Sequence, residues 1–298
     1  MKRVLLTGAS GFIGRQTIPF LLEKGYEIHA VIHNTKISEL NKDKNIIWHK
    51  CNLLDFKEQY EMLCKIRPTH LLHFAWYTNP CDYLTSLENI EWFNASLNLL
   101  YNFEMCGGDR AVCAGTCIEN TESPYAICKT NLRDSLDIMS RYLDTYVDVS
   151  FNLSCAWGRI FYPYGVYDKH ERLIPHIINS LLQNKRTLCT DGEQIRDLMY
   201  VEDVASAFVT LLDNDAEGEF NICSGNPIKL KNVIEFIGKK LDKENLIQLG
   251  ALDHRENEIM EIKGCPNRLK KELKWTTKYS LNEGLDKTIE WKRRYLEK

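Results

Sequence analysis

The chain has 298 residues, 44% of them hydrophobic and 27% charged, with 16 glycines and 8 prolines, which suits one large α/β unit or such a unit with a smaller lobe. Its formal net charge of -3 gives no electrostatic basis for binding nucleic acid or an anionic membrane surface. No apolar run approaches the ~18–20 residues that cross a bilayer, and the 11 scattered cysteines lack a C-x-x-C pair, which argues for reduced thiols and against a zinc site.

The first element is a strand, Val4–Thr7. Its flanking Lys2-Arg3 and short apolar run read as a strand rather than an export signal, so a cytoplasmic protein is expected, with no metal. Gly8-Ala9-Ser10-Gly11-Phe12-Ile13-Gly14 follows directly and opens a helix near Phe12. Glycines in this pattern serve a tight turn, close approach of backbone to a pyrophosphate, and close helix–strand packing. The helix start adds free amides and a positive dipole end. Gly8, Ser10, Gly11, Phe12, Ile13 and Gly14 are therefore candidate contacts for a nicotinamide dinucleotide.

The second strand, Glu27–Ile32, ends in His33-Asn34-Thr35-Lys36. A carboxylate at this tip would bond the adenine ribose, and none is present. His33 is a candidate cofactor contact, and Arg15 with Lys36 is placed to hold a 2′-phosphate, which favours NADP (NADPH) over NAD. Both cations as solvated surface charges is the alternative. A third strand, Ile46–His49, sets Asn52 and Leu53 to meet the adenine, and a helix starts near Phe56. The fourth strand, His70–Phe74, brings Phe74 and Ala75 beside the cofactor, with His73 packing rather than reacting. A helix near Tyr83, a strand Ala111–Ala114, a helix from Tyr125 and a strand Val147–Leu153 follow. Such alternation, with apolar strands, predicts a doubly wound parallel sheet of Rossmann type and a crevice at the strands' carboxyl ends.

The rhythm breaks near residue 155. A stretch rich in glycine, proline and tyrosine, Trp157–Tyr167, precedes a helix Leu173–Gln183 and a short strand near Thr187. Leu198–Tyr200 and the helix Val201–Leu212 read as a further strand–helix unit of the main sheet. A helix Leu230–Lys240, a polar segment around Arg255 and a helix Leu281–Leu296 complete the chain. The expected division is a dinucleotide-binding domain of residues 1–156 plus about 195–217. A discontinuous substrate lobe then takes about 157–194 and 218–298.

Tyr125-Ala126-Ile127-Cys128-Lys129 sets a phenol and an ammonium on one helical face. Hydride addition to a ketone needs a proton for the developing alkoxide, and a phenol of pKa ~10 is sluggish near neutrality. A lysine charge nearby lowers the phenol's pKa and can hold the nicotinamide ribose. Thr116, past the fifth strand, offers a hydroxyl to the same substrate oxygen.

Thr7–Gly14, Gly115-Thr116, Tyr125–Lys129, Arg159–Gly165 and Gly192–Asp203 together resemble an extended short-chain dehydrogenase/reductase of the NAD-dependent epimerase/dehydratase family, over essentially the whole chain. The resemblance implies Tyr125 as acid/base, Lys129 as its partner, Thr116 as substrate ligand, and a nucleotide-sugar substrate. It implies that Arg196 and Arg255 contact the substrate diphosphate, that Tyr162 lies near the substrate, that Asn94 braces the active-site backbone and that Asp203 braces a helix. It also implies a homodimer paired through the helices near Tyr83 and Tyr125. The family's 4,6-dehydratases carry Asp and Glu directly after the threonine, where this chain has Cys117 and Ile118, so dehydration is disfavoured. Epimerase-reductases that invert carbons beside the ketone use a cysteine at the position of Ile118, which disfavours that chemistry too. Reduction of a 4-keto sugar remains, with 4-epimerisation as the alternative and a non-catalytic redox sensor as a lesser one. The run Leu249–Met260 resembles reductases that make deoxyhexoses for bacterial surface polysaccharides.

Overall fold

The computed structural model describes residues 2–35, 43–141, 153–256 and 258–296. Seven parallel strands form the central sheet: β1 (Arg3–Thr7), β2 (Glu27–Ile32), β3 (Ile46–Lys50), β4 (His70–His73), β5 (Arg110–Thr116), β6 (Ser154–Ile160) and, last in the chain, the strand Gly218–Ile222. From one edge to the other they run Gly218–Ile222, β6, β5, β4, β1, β2, β3. The order reverses between β1 and β4, where a doubly wound sheet opens its ligand crevice. The expected fold class is the one observed.

Both faces are covered, as continuous apolar strands require. Helix α1 (Gly14–Glu23) and the helix Val201–Leu212 pack on one face around Leu6, Val112 and Phe208. Helices α2 (Phe56–Ile66), α3 (Glu88–Met105) and α4 (Pro124–Arg141) cover the other around Leu5, Leu71 and Phe103. Helix α2 begins where the Asp55 carboxylate accepts bonds from the Lys57 and Glu58 amides, a side-chain N-cap.

Three expectations need correction, and a fourth falls mostly outside the described residues. The helix placed near Tyr83 starts at Glu88, because Asn79, Asp82 and Ser86 close turns through residues 79–86. The strand Val147–Leu153 lies, apart from Leu153, outside the described residues, and the sixth strand is Ser154–Ile160. Its glycine misled the sequence reading. A Cβ at Gly158 would lie 2.4 Å from the Phe208 ring, so glycine there admits helix packing rather than marking a loop. Leu198–Tyr200 does not join the main sheet; it pairs in parallel with Tyr162–Tyr164. Conversely, Gly218–Ile222, expected in the second lobe, pairs with β6.

Beyond β6 the chain builds small ladders. Ile195–Arg196 pairs with Ile228–Lys229, and Thr187–Leu188 with Ile247–Gln248. A separate core of Tyr164, Ile177, Ile178, Ile237, Leu285 and Ile289 holds this region together. Among the described residues no helix is long and apolar enough to cross a membrane.

Candidate active site

The glycine loop follows β1 at the switch point. Gly8 has φ +67°, and a Cβ there would lie 2.9 Å from the Ala75 amide nitrogen; only glycine takes this turn without strain. At Gly14 a Cβ would lie 2.2 Å from the Gly8 carbonyl oxygen. The loop is thus a backbone cradle that side chains would fill, set at a helix N-terminus, and it fits a dinucleotide pyrophosphate.

Thr7 locks the loop to the neighbouring strand end. Its Oγ1 accepts from the Phe74 and Ala75 amides at 3.2 Å each and meets His73 Nδ1 at 2.7 Å. With both amides donating to it, the hydroxyl donates to Nδ1, so His73 Nε2 donates to Ser96 Oγ at 2.8 Å. Burial, helped by the Lys129 charge, drives His73 down to about 3. It stays a neutral brace, in line with a packing role. Asn94 is exposed on α3, so the expected bracing falls to Ser96 and to Asn98, which bonds Gln59.

The adenine-side candidates lie apart from the reacting groups. His33 is exposed and, with Asn52, lines a crevice of about 580 Å³ between β3 and α2. Leu53 is buried, and its carbonyl accepts from Gln59. Arg15 is committed elsewhere: Nε and Nη2 donate to the Ser10 carbonyl at 3.1 and 2.6 Å. Its guanidinium lies 4.2 Å from the Tyr167 ring centroid. Ser10 Oγ also accepts from Thr35. Lys36 falls outside the described residues.

At the carboxyl ends of β4 and β5 the candidate reacting groups meet. Thr116 is buried, and its hydroxyl lies close enough to the Tyr125 phenol to favour the phenol's ionised form. Burial is the main influence on that phenol and raises it above its ordinary value, with Tyr83 adding to the effect and Thr116 opposing it. The expected lowering by Lys129 is not what dominates. Lys129 Nζ instead donates to the Ala114 carbonyl at 2.9 Å and sits 3.6 Å from the Trp76 ring centroid. Burial pulls the ammonium down to about 7. A protonated phenol beside a hydroxyl is a proton donor for an oxygen bound between them.

A model of the NAD dependent epimerase/dehydratase family matches residues 4–223. The chain belongs to that family. A CDP-abequose synthase of Salmonella typhimurium is 26% identical over 307 residues, covering 96% of this chain and 97% of its own. A dTDP-4-dehydro-6-deoxyglucose reductase of Escherichia coli is 27% identical over 310 residues, with 96% of each chain covered. Among solved structures, UDP-glucose 4-epimerase of Thermotoga maritima, with UDP-glucose, superposes with a TM-score of 0.86 at 22% identity, covering 99% of both chains. The NAD complex of UDP-glucose 4-epimerase from Thermus thermophilus gives 0.83 at 22%, covering 98% and 99%.

The two positions after Thr116 on which the sequence resemblance disfavoured dehydration are now placed. Burial pushes the Cys117 thiol up to about 12, and Ile118 only donates its amide toward Thr116 Oγ1. Neither supplies a base. The next residue, Glu119, is a carboxylate, but its buried side chain accepts from Arg133, Arg159 and the Trp157 indole at 2.6–2.8 Å. Tied this way it fixes the loop after Thr116 and is not available to substrate.

The substrate-side arginines differ. Arg196 is buried, donates to the Ile195 and Met260 carbonyls and pairs with Glu258 at 3.0 Å. Its guanidinium also faces the Tyr162 ring, 5.2 Å away. Arg255 is exposed. Asp203 does not cap its own helix; its carboxylate accepts the Lys278 and Tyr279 amides, just ahead of the last helix. Sequence reasoning missed Trp76, Tyr83 and Arg172. Tyr83 stands edge-on to Tyr125 at 5.0 Å, and the Arg172 guanidinium is 5.9 Å from the Tyr83 ring. The turn that carries Tyr83 had been read as helix, which hid its approach to Tyr125. Among the described residues no cluster of three or more His, Cys, Asp or Glu side chains is arranged to hold a metal.

Proposed function

We propose that this protein reduces a nucleoside-diphosphate-4-keto-6-deoxyhexose, with Tyr125 as general acid, in deoxysugar or surface-polysaccharide biosynthesis. The observation that carries this reading is the pairing of Thr116 with a protonated Tyr125 hydroxyl in a site whose next three residues offer no free base. A nicotinamide cofactor held by the glycine loop supplies the hydride. Thr116 and Tyr125 hold the substrate's keto oxygen from two sides, and the phenol gives it a proton. Lys129 would orient the nicotinamide ribose, and the negative charge that develops on the keto oxygen is taken up by the Tyr125 proton as it forms, while Thr116 donates to the same oxygen. The names of the Salmonella typhimurium and Escherichia coli relatives, a synthase and a reductase of deoxysugar nucleotides, support the substrate class.

The same groups serve 4-epimerisation, which the likeness of fold to UDP-glucose 4-epimerases keeps as the second reading. Denaturing the purified protein and identifying any released nucleotide separates them. Stoichiometric NAD favours an epimerase, which recycles its own hydride. An empty site that takes up added reduced cofactor supports the reductase.

NADPH is the favoured cofactor in this reading, because His33, Asn34 and Thr35 offer no carboxylate to the adenine ribose. Holding a 2′-phosphate requires Arg15 to leave the Ser10 carbonyl, so the preference is tested by comparing affinities for NADPH and NADH in wild type and Arg15→Ala. Arg196 and Arg255 are assigned to the diphosphate, whose oxygens suit guanidinium forks. Exposed Ile90, Tyr101 and Met105 on α3 and Ile127 and Ile138 on α4 suit pairing of two copies through these helices. Sedimentation of wild type against Ile127→Glu/Ile138→Glu tests the dimer.

A further inference from the structure

Asn89, at the start of α3, is fully buried and uses its whole amide. Its Nδ2 donates to the carbonyls of Tyr83 at 2.7 Å and Ser86 at 2.8 Å. Its Oδ1 accepts from the Trp76 indole Nε1 at 2.8 Å. One side chain therefore joins the turn that carries Tyr83 to the aromatic ring that follows β4. Buried polar groups with every partner supplied fix geometry, because each lost bond leaves an unsatisfied group behind.

What these two arms touch is the reacting pair itself. Tyr83 packs edge-on against Tyr125 at 5.0 Å and 83°. Trp76 meets Tyr125 from another side at 6.5 Å and 83°. The same indole ring lies under Lys129 Nζ at 3.6 Å. The Tyr125 amide also donates to the Leu84 carbonyl at 3.2 Å, within that turn. Both walls of the phenol and the floor of the ammonium thus hang on one amide group.

We propose that Asn89 and Trp76 are positioning residues for the Tyr125–Lys129 pair, with Asn89 orienting the indole and the indole face holding the Lys129 ammonium. This rests on Tyr125 and Lys129 being the reacting groups. An aromatic face attracts a buried cation, and so favours the charged lysine against the burial that opposes it. Besides Trp76, the groups facing Lys129 are the more distant Trp157 ring at 5.9 Å, Cys113, Cys128 and Glu119, which favour its charge, and neutral His73.

The test is a double-mutant cycle with Trp76→Phe, which keeps a ring and removes the indole N–H, and Asn89→Ala. Two quantities are read: kcat with dTDP- or CDP-4-keto-6-deoxyglucose, and the pH profile of NADPH and NADH binding. Each single variant is expected to lose roughly 10-fold in kcat with substrate KM within about threefold. The double variant is expected to lose no more than the worse single, since both act through one hydrogen bond. Trp76→Leu, which removes the ring, is expected to move the alkaline limb of cofactor binding down by on the order of half to one pH unit. Additive losses, an effect confined to KM, or an unmoved alkaline limb with folding intact overturns the proposal. If wild type reduces neither sugar, the reading in the preceding subsection fails, and the cycle on cofactor affinity and its pH limb decides this one.

Discussion

The two halves of the crevice are built from different material. On the cofactor side recognition is made of backbone: a left-handed Gly8, a Gly14 pressed on the Gly8 carbonyl, and strand-end amides tied to Thr7. On the proposed substrate side it rests on a side chain already engaged with another, Arg196 with Glu258. A backbone site tolerates no added atoms and admits one ligand shape. A side-chain site can trade partners, so the same fold serves different sugars.

Substitutions can break or sharpen this contrast. The largest effect is expected at the junction of the halves: Tyr125→Phe should lower kcat by roughly 10²–10⁴-fold while cofactor affinity stays within threefold, read by stopped-flow kinetics and fluorescence titration. Next comes the cradle. Gly14→Ala should weaken NADPH and NADH binding about 100-fold or prevent folding, because its methyl meets a carbonyl oxygen at 2.2 Å. Gly250→Ala, at φ +71° in open space on the other side, should cost only about 1 kcal/mol of stability in a urea titration.

On the substrate side, Arg196→Ala should raise KM for the sugar nucleotide about 10–100-fold with kcat changed less, whereas exposed Arg255→Ala should raise it only about threefold. Equal effects at the two arginines would erase the distinction between a buried, ion-paired contact and an exposed one. A smaller effect belongs to pH. His73 is held at about 3 against an ordinary 6.5, so the unfolded chain takes up a proton first as pH falls. Stability from this group is complete above about 6.5 and is lost toward 3, at up to ~1.4 kcal/mol per pH unit. Wild type minus His73→Asn in acid urea titrations isolates that slope.

The same contrast explains what the sequence disclosed. The glycine loop, the strand–helix alternation and the Tyr125–Lys129 spacing are local patterns, and each marks its structure within a few residues. Gly158 misled because a glycine that admits Phe208 and a glycine that ends a strand look alike in one sequence. Leu198–Tyr200 misled for the opposite reason: its apolar pattern states that it is buried, not which strand it joins. Arg196 stood out only through its match to a family position, and its Glu258 partner lies 62 residues away. Trp76 and Asn89 carried no signal, since their bond closes only when the turn through residues 79–86 folds back on β4. Long-range pairs of this kind are set by topology and have no periodicity to read.

The central claim is that this site delivers one hydride and one proton to a 4-keto sugar. The direct test mixes the purified protein with dTDP- or CDP-4-keto-6-deoxyglucose and reduced cofactor deuterated at the nicotinamide C4, and follows both absorbance and product. The account predicts one cofactor oxidised per sugar, with deuterium at carbon 4 of a 4-hydroxy product. Sugar interconversion without net cofactor oxidation, or no transfer of deuterium to either sugar, would contradict it.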